Sequence, residues 1–290
     1  MTNILLFLAV TFWGLSFIGT KMALEYLSPT EIIAVRLLLG TPILAGVLRA
    51  KNLRFGFRKS DIAALIVASI VLGVHFVIQA LGLIYTTATN TAWLIATIPV
   101  FIAAASYIFL KEKLNTRKIT GIVIATAGVI LLVSRGDPGN LDWLKSAGDW
   151  IILSSCITWT VYTIITRNMT RIYNPLTVST ALLLIPAAGL IILTLITTPL
   201  SKFYNLPPNI IIVLLILGIF CLGLAHWFWL EGLSKKGAAE TGVFLYFEPI
   251  VTTVAAIPLL GEKLSVPAII GAVLILSGVY LVEKNSSLHK

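Results

Sequence analysis

Charge is what this sequence has least of. Only 11% of its 290 residues are Asp, Glu, Lys or Arg, against roughly 25% in soluble domains. By contrast 58% are hydrophobic, and the mean hydropathy is +0.99. A water-soluble globule of this length cannot bury so much apolar surface, because a single core stops growing at about this size. An ordinary soluble enzyme, a disordered chain and a free nucleic-acid binder are excluded. Cysteine is nearly absent: Cys156 and Cys221 both fall inside apolar runs, which gives neither a disulfide framework nor metal-ligand spacing. They read as small packing residues. Three catalytic signatures are missing. There is no Gly-x-x-x-x-Gly-Lys-Ser/Thr loop, no His-Glu-x-x-His and no Gly-x-Ser-x-Gly, so ATP-driven pumping, zinc hydrolysis and elbow-type acyl transfer by this chain lack support. No cofactor or metal is expected, and the chain reads as a non-enzyme.

What is present is a series of apolar blocks of the roughly 20 residues that cross a bilayer core. Punctuation by charge, Pro and Gly predicts ten transmembrane helices near 3–23, 30–49, 61–83, 88–110, 117–134, 147–166, 175–198, 209–230, 238–260 and 267–283. Ser28-Pro29, Asn174-Pro175, Pro207-Pro208 and Ser265 with Pro267 are helix-start signals, and Asn115 or Thr116 can cap the fifth span. The formal net charge of +9 is spread between the blocks instead of covering one solvated face, so nucleic acid is not an expected partner. With the N-terminus inside, cytoplasmic segments hold Arg49, Lys51, Arg54, Arg58, Lys59, Lys111, Lys113, Arg117, Lys118, Arg167, Arg171, Lys235, Lys236, Lys284 and Lys290. Outer segments hold only Arg135, Lys145, Lys202 and Lys263, with Lys21 and Arg36 near the outer end of a span. That bias predicts a multi-pass cell-membrane protein with both termini cytoplasmic. The first apolar block shows no cleavage site, so it reads as a span and not a leader.

The sequence also matches itself. Gly82-Leu83 recurs at Gly232-Leu233, Pro99 at Pro249, Glu112-Lys113-Leu114 at Glu262-Lys263-Leu264, Gly121 at Gly271 and Gly128 at Gly278, all 150 residues apart. Roughly sixteen of about fifty positions agree, more than apolar composition alone should give. Nearer the front the offset is 146, pairing Trp13 with Trp159, Lys21 with Arg167 and Pro29 with Pro175. Two units follow, 1–136 and 137–290, each of five helices. Because five is odd, the second unit enters the membrane upside down, and inverted repeats of this kind are a common transporter architecture. Duplication kept for packing alone is the competing explanation.

With these features the chain resembles the drug/metabolite transporter superfamily, in its ten-helix EamA branch. The resemblance rests on Trp13-Gly14 with Lys21, Arg36, Thr86-Thr87-Ala88-Thr89-Asn90 leading to Pro99, Glu112-Lys113-Leu114, Gly121, Gly128, Glu248-Pro249, Gly261-Glu262-Lys263-Leu264, Gly271 and Gly278. It covers nearly the whole chain. It implies an all-α integral membrane fold, cytoplasmic termini, a central cavity between the halves and movement of small metabolites, often outward.

Polar groups at membrane depth are costly and mark candidate function. Glu248, about ten residues into the ninth span and so roughly 15 Å from either surface, is the deepest carboxylate. It could carry a proton across, pair with a substrate amine, or merely satisfy backbone freed near Pro249. His75 and Gln79 lie one turn apart on the third span, and His75 could relay a proton. His226 on the eighth span is an equal candidate, and a lone histidine is often only a packing residue. Trp13, Ser16 and Thr20 share a face of the first span, while Thr158, Trp159 and Tyr162 gather on the sixth. Together they could form an apolar slot with a few polar contacts. Trp93, Thr97 and Tyr246 are weaker members. Arg36 could hold a carboxylate or phosphate, or snorkel outward to Glu31 or Glu25. Lys21 and Arg167 read as interfacial anchors. The glycine faces of spans five and ten suit close helix packing, with a homodimer contact as the alternative.

The leading expectation is a secondary transporter, an exporter of a small metabolite such as an amino acid, working by alternating access and either coupled to protons through Glu248 and His75 or running as a facilitator. A membrane-embedded enzyme and a structural membrane subunit are the competing classes.

Overall fold

The chain is seen in a computed structural model that describes residues 1–133, 137, 139, 147–260 and 266–286. Among these residues there is helix and no strand, as a lipid-embedded backbone requires: with no water to bond its N–H and C=O groups, it satisfies them within each segment. The elements are α1 (Thr2–Ala23), α2 (Pro29–Ala50), α3 (Lys59–Tyr85), α4 (Ala88–Ile95), α5 (Ile98–Leu110), α6 (Thr116–Val133), α7 (Ala147–Thr170), α8 (Pro175–Thr197), the one-turn α9 (Ser201–Tyr204), α10 (Pro208–Ile216), α11 (Ala225–Lys236), α12 (Ala238–Gly242), α13 (Glu248–Leu260) and α14 (Val266–Ser286). A π-helical stretch, Leu217–Leu224, joins α10 to α11, and a 3₁₀ stretch, Val243–Phe247, joins α12 to α13. Seven helical stretches are long and apolar enough to cross a membrane: α1, α2, α3, Ala88–Leu110, α7, α8 and Pro208–Lys236. The protein is a multi-pass membrane protein. The remaining expected crossings fall on α6, on the broken run from Ala238 to Leu260 and on α14.

The helix starts follow from side chains visible in the sequence. Ser28 opens α2 with a reciprocal cap: its Oγ accepts from the Glu31 amide at 3.4 Å, and Glu31 Oε2 accepts from the Ser28 amide at 2.7 Å. Asn174 Oδ1 accepts from the Leu176 amide at 2.9 Å ahead of Pro175, and Asn115 Oδ1 accepts from the Lys118 amide at 2.9 Å at the head of α6. Each cap satisfies an N–H that the first helical turn leaves free.

Outward faces carry lines of exposed apolar side chains, for example Ile62, Ile66, Ile70 and Val74 of α3 and Ile192, Leu195 and Ile196 of α8. Such a surface suits lipid and not water. Inside, α6 packs on α14, α3 on α7, α1 on α11 and α2 on α8. The first of these pairs is the tightest. A Cβ at Gly121 would sit 2.6 Å from the Gly278 carbonyl oxygen, and one at Gly128 would sit 2.7 Å from that of Gly271. Gly121 thus meets Gly278 while Gly128 meets Gly271, so the two helices run antiparallel, and the glycine faces are consumed by this contact.

Lys21 and Arg167, expected as interfacial anchors, each reach the end of a helix. Lys21 Nζ donates to the carbonyls of Leu83 (2.5 Å) and Thr86 (2.8 Å) at the end of α3. Arg167 donates to Leu233 (2.8 Å) and Ser234 (3.0 Å) near the end of α11. Each cation satisfies carbonyls that a helix C-terminus leaves unpaired. Leu83 and Leu233 are 150 residues apart, the offset of the repeat. Arg167 also pairs with Glu112 at 3.2 Å, and Glu112 in turn accepts from the amides of Ala238 and Ala239 at the head of α12. The matching Glu262-Lys263-Leu264, together with Gly261, Arg135, Lys145 and Lys290, lies outside the described residues.

Candidate functional site

Two breaks create the site. The expected fourth span stops at Ile95 and restarts at Ile98, and the expected ninth stops at Gly242, continues as a 3₁₀ turn and restarts at Glu248. Pro99 and Pro249 stand at the second residue of each restarted helix. A proline ring clashes with the carbonyl four residues back and offers no N–H, which favours breaks near Ile95 and Leu245, although Pro42 of α2 and Pro186 of α8 stand inside continuous helix. Interrupted helices at corresponding positions of two repeats mark the place where a transporter binds its cargo.

A cavity opens beside both breaks. Of the predicted site residues, Trp13, Ser16, Arg36, His75, Gln79, Trp159, His226 and Glu248 line it, joined by Phe17, Phe76, Ile95, Ile98 and Leu245. Its volume is about 30 Å³, and one water takes about 10–15 Å³ on this measure. In this conformation it has room for two or three waters, so a metabolite could enter only if the helices around it moved.

One wall is aromatic. Trp13 meets Trp159 edge to face with centroids 5.0 Å apart, and the rings of His226 and Trp229 lie 5.1 and 5.4 Å from Trp13. His75 sits 4.9 Å from Trp159, and Phe76 5.1 Å from His226. Trp13 Nε1 donates to the Cys221 carbonyl at 2.9 Å, in the π-helical stretch. Trp159 Nε1 is buried with no partner among the described residues.

Both histidines are held by their Nδ1 atoms. His75 Nδ1–H donates to the Ser155 carbonyl at 3.0 Å, and His226 Nδ1–H donates to that of Leu222 at 2.8 Å. A carbonyl can only accept, so each neutral ring keeps its lone pair on Nε2, and His226 Nε2 is buried without a partner among the described residues. Glu248 is 2% exposed and begins α13, where the positive end of a helix dipole favours a carboxylate. Its side chain makes no hydrogen bond among the described residues, so the cap on backbone near Pro249 that the sequence allowed is absent.

Arg36 is 5% exposed, lines the cavity and has no hydrogen-bond or ion-pair partner among the described residues. The outward reach toward Glu31 does not occur. Glu31 is occupied by Lys202, 2.7 Å from Oε2, and by Thr198, 2.8 Å from Oε1.

Five predicted residues lie off the cavity lining. Thr158 stands behind His75, its Oγ1 3.1 Å from Nδ1. Tyr162 is fully buried beside Trp159, with centroids 5.0 Å apart. Thr97 turns its hydroxyl back to the Leu94 carbonyl at 2.7 Å, within the break. Trp93 and Tyr246 pack in a separate cluster with α6 and α14, where the Tyr246 hydroxyl meets Thr126 Oγ1 at 2.8 Å. Of the lining residues that were missed, Ile95 and Leu245 stand 150 apart, as do Ile98 and Glu248, and Phe76 and His226. Applying the repeat offset to the polar candidates would have found Phe76 and Ile98.

Comparison with known proteins gives a family and a fold. The EamA-like transporter family matches residues 1–134 and 146–283. The uncharacterized transporter YyaM of Bacillus subtilis (strain 168) is 29% identical over 274 residues, covering 92% of this chain and 88% of its own. An uncharacterized transporter of Archaeoglobus fulgidus is 32% identical over 289 residues, covering 97% and 96%. A solved crystal structure with 17% sequence identity superposes with a TM-score of 0.78 over 97% of this chain and 98% of that one, which establishes the likeness of fold.

Proposed function

We infer the function from one premise, that this chain belongs to the EamA-like transporter family: it is a secondary transporter carrying a small metabolite, such as an amino acid, outward across the cell membrane by alternating access. The observation that carries this reading is the cavity at the two helix breaks, lined from both units by Ile95 and Leu245 and by Ile98 and Glu248. We further propose ten spans in two inverted five-helix units, 1–136 and 137–290, with both termini cytoplasmic.

Several contacts support the inverted arrangement. In a pair related by an in-plane two-fold axis, Gly121–Gly278 and Gly128–Gly271 exchange with each other. So do Gly82 against Ile152 and Gly232 against Leu6, and so do Lys21 and Arg167 on their helix ends. Two like halves give inward- and outward-facing states of comparable energy, which is what alternating access needs. Glu248 is the proposed proton carrier, with His75 its partner in the lining.

The test is flux. In proteoliposomes loaded with a labelled amino-acid mixture, wild-type protein should release substrate down an imposed pH gradient, while Glu248→Gln should exchange substrate without responding to the gradient. A variant that keeps the full pH response removes Glu248 from the coupling role. Protein that moves nothing from a broad metabolite panel sinks the transport assignment.

A further inference from the structure

Arg36 is the group in the cavity that the fold does not explain. It is buried, it faces the cavity, and among the described residues its guanidinium makes neither a hydrogen bond nor an ion pair. Its Nε is shut off from solvent with nothing to donate to. The nearby acids do not answer it. Glu31 is held by Lys202, by Thr198 and by its own helix cap, and Glu248 forms no ion pair with it. A buried cation without an anion is strongly unfavourable, and an apolar side chain of similar size would relieve the cost. A group kept on such terms fits a ligand that brings the missing negative charge.

The planar fork of a guanidinium matches the two oxygens of a carboxylate or of a phosphate. The rest of the cavity separates the two. Arg36 is the only Lys or Arg among the lining residues, so it can balance one negative charge. A phosphate monoester at neutral pH carries more than one. Beside Phe17, Phe76, Ile95, Ile98, Leu245 and the Trp13–Trp159 pair, the lining holds Ser16, His75, Gln79, His226 and the acid Glu248, which offer hydrogen bonds but no fixed cation for a second negative charge. We propose that the substrate is a small carboxylate whose head group is bound by Arg36 and whose apolar body lies against Trp13 and Trp159. This rests on the transporter reading and narrows it to a substrate class.

Binding to purified wild-type protein tests the chemistry before any variant is made. Thermal unfolding is followed at fixed ionic strength with pyruvate, isovalerate, benzoate and phenylacetate, each beside its own neutral amide, and with phenyl phosphate and benzylamine. A ligand selective for the native state raises its stability. At least one acid should raise the melting temperature, its amide should not, and phenyl phosphate should act more weakly. Arg36→Gln should weaken that acid at least tenfold, and Arg36→Lys should fall between. The proposal is overturned if no acid stabilises the protein, if an acid and its amide act alike, or if Arg36→Gln keeps the response. Flux of the best acid in proteoliposomes separates the two levels. An acid that binds through Arg36 yet never crosses ends the transport reading and keeps the site. Flux of benzylamine with no acid bound does the reverse.

Discussion

Replacing Gly121 by alanine adds one methyl group where α6 and α14 touch. That Cβ would lie 2.6 Å from the Gly278 carbonyl oxygen, 2.6 Å from Val282 Cγ2 and 3.3 Å from the Val282 amide. Two of these three are backbone atoms and cannot swing aside as a side-chain tip can. To reach ordinary contact the helices must part by roughly 0.8 Å, which loosens the neighbouring Gly128–Gly271 contact and its dispersion energy as well. Overpacking of this kind costs about 1–3 kcal/mol. Exchanging glycine for alanine inside a helix returns about 0.5–1 kcal/mol, so the net effect is a loss of up to about 2.5 kcal/mol. Gly189 on α8 supplies the control, because nothing lies within 4 Å of its Cβ position. There the helical gain stands alone, and Gly189→Ala should be more stable than wild type. Tryptophan-fluorescence melting of both variants, purified alike in detergent, should show shifts of opposite sign. At about 2–4 °C per kcal/mol for proteins somewhat smaller than this one, they should differ by several degrees. A Gly121→Ala variant that melts with or above Gly189→Ala would refute the close antiparallel contact.

Four other outcomes can be read from the structure. Glu112→Ala removes the partner of Arg167 and the acceptor for the Ala238 and Ala239 amides; it should destabilise the protein by about 2–4 kcal/mol, with Glu112→Gln intermediate in the same melting assay. Gly237→Ala forces a side chain onto a backbone with φ of 93° and places its Cβ 2.8 Å from Glu112 Oε1, so it should cost at least about 1–3 kcal/mol and show no additivity with Glu112→Ala. Trp13→Phe loses the bond to the Cys221 carbonyl while keeping the ring contacts; a loss of about 1 kcal/mol is expected from melting curves. A reporter tag inserted after residue 136 should label only from the side opposite both termini; labelling on the same side would end the inverted-repeat proposal.

Much of the frame was legible because its signals are local. Ser28 with Glu31, Asn174 before Pro175, and Asn115 each announce a helix start through a side chain that bonds an amide two or three residues on. The breaks were harder. Pro99 and Pro249 stand out in the sequence as repeat markers, but nothing there separates them from Pro42 and Pro186, which sit inside the continuous helices α2 and α8. Trp93 and Tyr246 lie beside the breaks, and both pack with α6 and α14 instead of lining the cavity. The π-helical stretch Leu217–Leu224 has no such marker, and its apolar sequence reads like any other turn of a span. The outward reach allowed for Arg36 fails for a different reason. Glu25 and Glu31 are near in sequence, but Glu31 is taken by Thr198 and Lys202, far along the chain, and no local pattern reports that competition.

The repeat separates positions that hold the protein together from positions that give it chemistry. Where the two units agree in residue type, the residues are structural: the four glycines between α6 and α14, Gly82 and Gly232 against Ile152 and Leu6, and the cations Lys21 and Arg167 on the ends of α3 and α11. Where they disagree, the residues line or border the cavity: Ile98 against Glu248, Phe76 against His226, Gln79 against Trp229, and Arg36 against Leu182. Trp13 and Trp159 are the exception, a matched pair in the aromatic wall between the halves. A frame that must rest equally well in two mirrored states benefits from equal halves. A ligand with one charged end does not, since no symmetric lining can complement an asymmetric molecule at a single site. A lining that differs between the units at Ile98 and Glu248 and at Phe76 and His226 therefore suits one polar cargo better than a symmetric lining would. By the same reasoning, Ile98→Glu, which would restore the symmetry of the breaks, should place a second carboxyl in the cavity beside Glu248 and weaken any carboxylate seated on Arg36, measured as a smaller acid-induced rise in melting temperature. An unchanged rise would mean that the two breaks do not face one common site.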